Sequence, residues 1–586
     1  MSEFQGFIGG SYQHSSINVA CQQSLNRFVE ANTGTEPNKT ILRARPGLKL
    51  FCTLPTAPVR GLWAGEDRLF AAGGSKLYEI FADGTATSPV TDNEIGDDDD
   101  HTPVQMFANG NQLFVVSAGK GFVANGTAMV QPPLQIGTYT DLAISAVNNT
   151  VISSVLTPFT EADVGSYLLI TGGGTGFTLQ LVKIIAFMPA TDTTPASAVL
   201  NVPAGLLGAT GGTAEEYSGT EFLVAVTGAY LDGYFIAQQP KTGNYGIDGK
   251  IVRFCTPNNG LIWEAGDFFV KDGYPDSVAS IIADHEELYV MGRQTSEVYR
   301  DSGDSNSPFA SDKGAFMHQG CVATWSLSQL PGGVYWLGGD ARGALTAWQA
   351  QGFVPKPVST PAIEQVWRTY KRVDDAIGYP VVIDRHSFWV LTFPTADLAD
   401  DDTPLGVTWV YDEATGFWHE WGSLEGALDA QELHQFRGRC HAYTGLLPVG
   451  EGEKLQPRHF VGDRTTGKIY EMSFDFPDDD GTDIRYIRTT PHVAADNKRF
   501  FFSRLFLDRE AGTAEDEPSF TLETSDDYGH TWSTPRTATG GATGAFLKRV
   551  QWWRLGCARG RVFRITQQGT DNGPWLGADI TAKVGK

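Results

Sequence analysis

The chain has 586 residues, 41% of them hydrophobic and 11% aromatic, which excludes global disorder even at a net charge of −24. Its 68 Asp and Glu outweigh its 44 Lys and Arg, so the body as a whole does not grip a nucleic-acid duplex by counterion release; a tube through which DNA slides is not excluded. The 67 glycines and 30 prolines follow no Gly-X-Y period, which excludes collagen and suits a turn-rich, all-β chain of several domains.

Six scattered cysteines (Cys21, Cys52, Cys255, Cys321, Cys440, Cys557) form no CxxC pair. That predicts reduced thiols in a chain made in the cytoplasm, not a disulfide framework. The opening Met1-Ser2-Glu3-Phe4-Gln5 has no basic segment ahead of an apolar run, so no signal peptide is expected. No stretch approaches ~18 apolar residues, so no membrane anchor is expected either.

Residues 1–60 read as an N-terminal arm and first strands, with weak helical periodicity at 22–30. Over 61–127, apolar segments at 68–74, 77–81 and 112–116 are each closed by a Gly-rich or polar turn, the signature of antiparallel hairpins. Residues 128–227 become rich in Thr, Ala and Gly and lose most of their arginine, which predicts an inserted β-sandwich domain. The hairpin grammar returns over 228–472, at 287–292 with 297–300, at 333–338, at 387–391 with 408–412, and at 459–463 with 468–471. Units of ~45 residues give about six or seven blades of a β-propeller; one large β-sandwich, or several small ones, is the alternative. A short helix is expected at 361–372. Residues 473–586 form a C-terminal β-domain, with strands at 500–508 and 519–523.

Ser525-x-Asp527-x-Gly529-x-Thr531-Trp532 is an Asp-box, a hairpin turn found in sialidases and other propellers. Asp527 is placed to accept backbone N–H groups, Gly529 to supply a positive φ and Trp532 to pack beneath, so the motif specifies a turn. Sialidases carry several such boxes, and only one is clear here. Asp97-Asp98-Asp99-Asp100 lacks the spacing of a calcium loop and reads as a solvated acidic loop, a candidate lining for a channel whose wall repels DNA. Asp478-Asp479-Asp480-Gly481 reads in the same way, with Gly481 making a tight, cation-compatible turn easier. The glycine run at 172–176 lacks a Walker lysine and reads as a hairpin tip, and neither HExxH nor GxSxG occurs. No catalytic, cofactor or metal site is assigned, and no enzyme is expected.

Both ends of the chain carry a family resemblance. Asn26 to Glu30, with Phe28 in place of a tyrosine, and Arg45-Pro46-Gly47-Leu48 are similar to an "N-x-Y-x-E … PGL" opening phrase. Val59-Arg60-Gly61-Leu62, Leu69-Phe70 and Lys76-Leu77-Tyr78 look like a first blade, and 525–532, 541–544 and 549–559 look like a closing domain. In this order the phrases resemble the packaged-DNA stabilisation, or tail hub (nozzle), proteins of short-tailed bacteriophages. Within the insert, Phe159-Thr160-x-x-Asp163-Val164-Gly165-x-x-Leu168-x-Ile170 resembles small β-modules of phage tail and fibre proteins. The resemblance implies a virion protein made in the host cytoplasm, a homo-oligomer of six copies in a ring on the tail adaptor beneath the portal. It implies transient passage of double-stranded DNA, and contact with a tail needle, fibre or spike through the insert. A carbohydrate-active or glycan-binding, sialidase-like propeller is the alternative.

Overall fold

The computed structural model describes residues 2–585 apart from 15, 32–39, 66, 91–92, 97–100, 125, 127, 173–175, 193, 242–248, 305–306, 313, 340–344, 397–404, 427–430, 446–456, 495–497 and 514–516. Seven antiparallel blades follow one another, five of them separate four-stranded sheets, the fifth blade a five-stranded sheet and the sixth the end of a 12-stranded sheet. Their first strands are Val59–Gly65, Gln105–Ala108, Thr227–Leu231, Val278–Asp284, Ser328–Leu330, Ile377–Ile383 and Gly438–Thr444. These strands stand side by side in cyclic order, and the first strand of blade 7 packs against that of blade 1, so the ring is closed. The strands alternate poorly because both faces of a blade are covered by its neighbours: Leu113–Ser117 and Gly333–Gly339 are buried almost throughout. Core clusters accordingly lie between blades, as where Leu69 and Tyr78 of blade 1 meet Phe460 and Ile469 of blade 7.

Closure comes from the other end of the sequence. Gly47–Thr53 pairs with Lys468–Ser473 as the outermost strand of blade 7, in the register Thr53↔Lys468 to Gly47↔Ser473. The residues just before it leave the propeller. Arg27–Ala31 and Thr40–Ala44 extend a sheet made with Trp575–Val584, Phe500–Arg509 and Val550–Ala558. The facing sheet holds Ile484–Thr489, Gly560–Gly569, Ser519–Ser525 and Arg536–Thr539. Together they form a C-terminal sandwich over a core that includes Leu42, Leu505, Phe520, Trp552 and Trp575. Cys21–Leu25 bridges the two bodies, antiparallel to Ile484–Thr489 and parallel to blade 6 at Leu25↔Glu420.

Four expectations change. Residues 22–30 are not helical but two strands broken at Asn26 (φ +57°), because the first half pairs with the distant Ile484–Thr489 and the second with the nearby Thr40–Ala44. The helix expected at 361–372 is shorter, Pro361–Trp367, started by Thr360 Oγ1 accepting from Ile363 N and by proline in the first turn. The insert is a closed barrel, not a sandwich: Pro133–Ile144, Val151–Ser153, Ser197–Leu200, Gln180–Met188, Tyr167–Gly172 and Thr210–Phe222 pair in that order and back to the first. Register shifts along Pro133–Ile144 let that long strand bend and close the circuit. Met129–Val130 and Thr227, counted with the insert from sequence, belong to blades 2 and 3.

Candidate functional site

The residues that carry the opening phrase meet in one place, where propeller, N-terminal strands and sandwich join. The Asn26 side chain makes four hydrogen bonds. Its Nδ2 donates to the carbonyls of Gly422 (3.0 Å) and Arg485 (2.8 Å), and its Oδ1 accepts from Gly422 N (2.8 Å) and Arg45 Nε (2.9 Å). Arg45 then closes on Asp479, Nη1 to Oδ1 at 3.0 Å and Nη2 to Oδ2 at 2.6 Å, with both side chains fully buried. Its remaining donors reach the carbonyls of Pro46 and Gly422, and Ser423 Oγ donates to the same carboxylate at 3.0 Å. Gly47 follows because only a glycine fits: a Cβ would run into Phe476 O and lie 2.6 Å from Asp478 O. Leu48 N donates to Asp478 O, and Asp480 N to Leu48 O.

Two further buried arginines extend this clasp. Arg488 has no carboxylate partner among the described residues. It donates to the carbonyls of Gly6, Phe7, Gly10 and Gln23, and burial lowers its pKa to about 9. Arg27 lies between the rings of Tyr486 (4.4 Å) and Trp575 (4.2 Å), and burial lowers its pKa to about 10. The arrangement welds; it presents no nucleophile or base to solvent.

The two ends of the propeller axis differ. At one end, loops entering the blades and loops between second and third strands enclose a cavity of about 610 Å³. Its arginines brace neighbouring blades: Arg293 Nη1 donates to Val322 O (2.6 Å), Arg464 Nη2 to Glu425 Oε2 (2.7 Å), and Arg439 to His101 O. Arg372 holds Asp374 through two bonds, which keeps that carboxyl below the usual range. At the other end, His441 Nε2 and His459 Nδ1 lie 3.0 Å apart in a groove of about 1020 Å³, and burial, with His459 adding to it, pushes the His441 pKa down to about 3.

The Asp-box lies in the sandwich, at the turn between Ser519–Ser525 and Arg536–Thr539. Asp527 Oδ1 accepts from Thr531 N (2.8 Å) and Ser525 Oγ (2.7 Å), and Oδ2 from Thr531 Oγ1 (2.6 Å). These bonds hold its carboxyl well below the usual range. Gly529 has φ +105°, and half-buried Trp532 stacks on Arg564 at 4.0 Å. Asp97, Asp98, Asp99 and Asp100 lie outside the described residues, so the expected channel loop has no structural account here.

In the second acidic run, Asp479 is the buried partner of Arg45, Asp478 caps Gly481 N, and Asp480 faces Lys468 at 3.3 Å. Sequence reasoning missed Asp479. The available signal was an opening phrase that buries Arg45 between apolar strands and so requires a carboxylate from elsewhere.

Two family models match the chain. The β-propeller of bacteriophage P22 Gp10 matches residues 224–476, and the β-sandwich of the same protein matches 485–583. A comparison with curated protein sequences returns no match. Among solved structures, the N-terminal domain of Nup159 aligns at a TM-score of 0.31 and 9% identity, covering 77% of this chain and 99% of that one. A putative 6-phosphogluconolactonase from Bacteroides fragilis aligns at 0.31 and 9%, covering 71% and 97%. Hsv2 from Kluyveromyces lactis aligns at 0.23 and 9%, covering 64% and 98%. Likenesses this distant carry no argument about function.

Proposed function

The chain belongs to the bacteriophage P22 Gp10 family of phage tail structural proteins, and from that premise we propose that it forms the tail hub, or nozzle, that retains packaged DNA below the portal and adaptor and gives it a channel at ejection. One observation carries the reading: matches to both the propeller and the sandwich of a single tail protein, in the same order along this chain. The family makes it a virion component, and we take its synthesis to be in the host cytoplasm.

The physical character of the subunit supports the mechanical role. A retaining hub must not deform under the pressure of packaged DNA. Here the ring is closed by a strand from the far end of the sequence, and the sandwich is bolted to blade 6 through the buried Arg45–Asp479 pair. Six copies would surround the channel, joined to the adaptor above, while DNA passes transiently along an acidic body that resists sticking. The barrel at 133–222 enters and leaves at one point, Leu223 N donating to Pro132 O at 2.8 Å, and we assign it to contact with a needle, fibre or spike. The Asp-box is a turn in the sandwich and lends the sialidase-like alternative no support, and a structural role in the tail follows the family matches.

The test is DNA retention. Phage heads assembled without this protein should package DNA and then lose it on standing, as nuclease-sensitive genome, and adding the purified chain should restore retention. Heads that keep their genome equally well without it would contradict the proposal.

A further inference from the structure

We propose that the outer face of the C-terminal sandwich docks on the acidic propeller of a second copy of this chain, each copy offering its sandwich to the next. The net charge of −24 conceals a strong division. Residues 47–484, the propeller with its inserted barrel, hold 25 Lys and Arg against 54 Asp and Glu. Residues 1–46 and 485–586, which build the sandwich and its N-terminal strands, hold 19 against 14. Arg27, Arg45, Arg488, Arg509 and Arg561 of that module are buried, so each molecule is a large acidic body carrying a far less acidic module whose basic character lies on its outer face.

This module also presents an apolar surface. On its outer sheet Phe501 is 52% exposed and lies between Cys557 and Lys583 in the pairing register. Arg504 follows between Trp553 and Thr581, with its guanidinium 5.0 Å from the Trp553 ring, and Trp553 is 50% exposed. Arg549 covers Phe506 at 5.2 Å, and the loop leading into it exposes Phe546 and Leu547, the latter at 94%. Arg554 and Lys548 are exposed beside them. Asp579, which pairs with Glu3, and Asp508 bring acid toward the far end of the strands. Exposed tryptophan, phenylalanine and arginine together mark protein interfaces, where such residues carry most of the binding energy.

Charge selects the occupant. Two sandwiches meeting about a two-fold axis would set like charge against like. Sandwich on propeller sets basic against acidic, and such a heterologous contact, repeated, closes into a ring when its rotation allows. The ring rests on the tail-hub reading; the contact itself does not and can be tested in its absence.

The experiment is sedimentation velocity of the full chain up to ~0.5 mM, in about 20 mM and about 200 mM salt, where screening shortens from roughly 20 to below 10 Å. The expected result is self-association that weakens at least tenfold across that salt range, is abolished in R504E/R549E, and is weakened in the independent surface variant L547D. A monomer at every concentration in low salt overturns the inference, as does association that neither variant changes. Retention of duplex DNA by the wild type that both variants lose, in place of self-association, also overturns it, in favour of a nucleic-acid partner. The tail-hub reading fails by a different result, heads that hold their genome without the protein, so the two failures are separable.

Discussion

Removing the Asp479 carboxylate should loosen the sandwich from the propeller more than any surface change. Asp479→Ala deletes two charge-assisted bonds from Arg45 and one from Ser423, and leaves a guanidinium at zero exposure with Asn26 Oδ1, two carbonyls and the face of Phe436 but no carboxylate among the described residues. Breaking a buried ion pair by deleting one partner costs about 3–5 kcal/mol, most of it the penalty on the stranded charge. For a cooperative unit of roughly 150 residues that corresponds to ~10 °C in Tm. The assay is differential scanning calorimetry of wild type, D479A and R45M/D479L, combined with limited proteolysis around residue 480. D479A should split off an early transition belonging to the sandwich, with cleavage in the connecting segment. The double variant removes both charges and should recover most of the loss, because two well-packed apolar side chains can replace a buried pair. If D479A melts within ~2 °C of wild type, with its transitions unsplit, the clasp does not join the two bodies as argued.

Gly47→Ala puts a methyl group into the Phe476 carbonyl and should cost about 1–3 kcal/mol, read as faster proteolysis at the blade 7 closure. His419 is fully buried, and neither ring nitrogen has a hydrogen-bond partner among the described residues, so His419→Leu should stabilise the chain by about 1–3 kcal/mol in denaturant melts at neutral pH. Burial also pushes His419 and His441 down to about 3, so the unfolded chain binds protons that the folded chain refuses. Stability should therefore be full above pH ~6.5 and fall by about 1.4 kcal/mol per pH unit per histidine toward pH 3, and a flat profile would refute this. Buried Glu420, raised in its pKa, opposes that trend just above the ordinary carboxylate range, and H419L should lower the slope by one histidine's share. Excising 133–222 and joining Pro132 to Leu223 should leave the propeller transition in place while changing fibre or needle attachment, with loss of the propeller itself the contrary result in calorimetry.

Much of the propeller was legible because its blades are local: strand, turn and strand lie within a few dozen residues, and segments such as 287–292 with 297–300 correspond to adjacent strands of blade 4. What spans the whole chain was not legible. Nothing near Gly47–Thr53 indicates that its partner is Lys468–Ser473, and residues 22–30 show weak helical periodicity until Asn26 is seen turned to φ +57° by partners more than 390 residues away. The inserted barrel looked like a sandwich because alternation reports strands but not whether the last returns to the first. In its motif, Phe159 stacks on Tyr139 at 4.6 Å, Asp163 accepts from Thr160 N, and Leu168 and Ile170 fill the core, so these fixed residues are structural. Asp479 stayed hidden because sequence gives no sign of which carboxylate in an acidic run is buried.

The most direct test of the account is electron microscopy of the purified chain mixed with the portal–adaptor complex of its phage. The account predicts one added ring below the adaptor, six-fold, with the propeller and sandwich of each copy resolved as one rigid unit. An adaptor that stays bare in the presence of excess folded chain would contradict it.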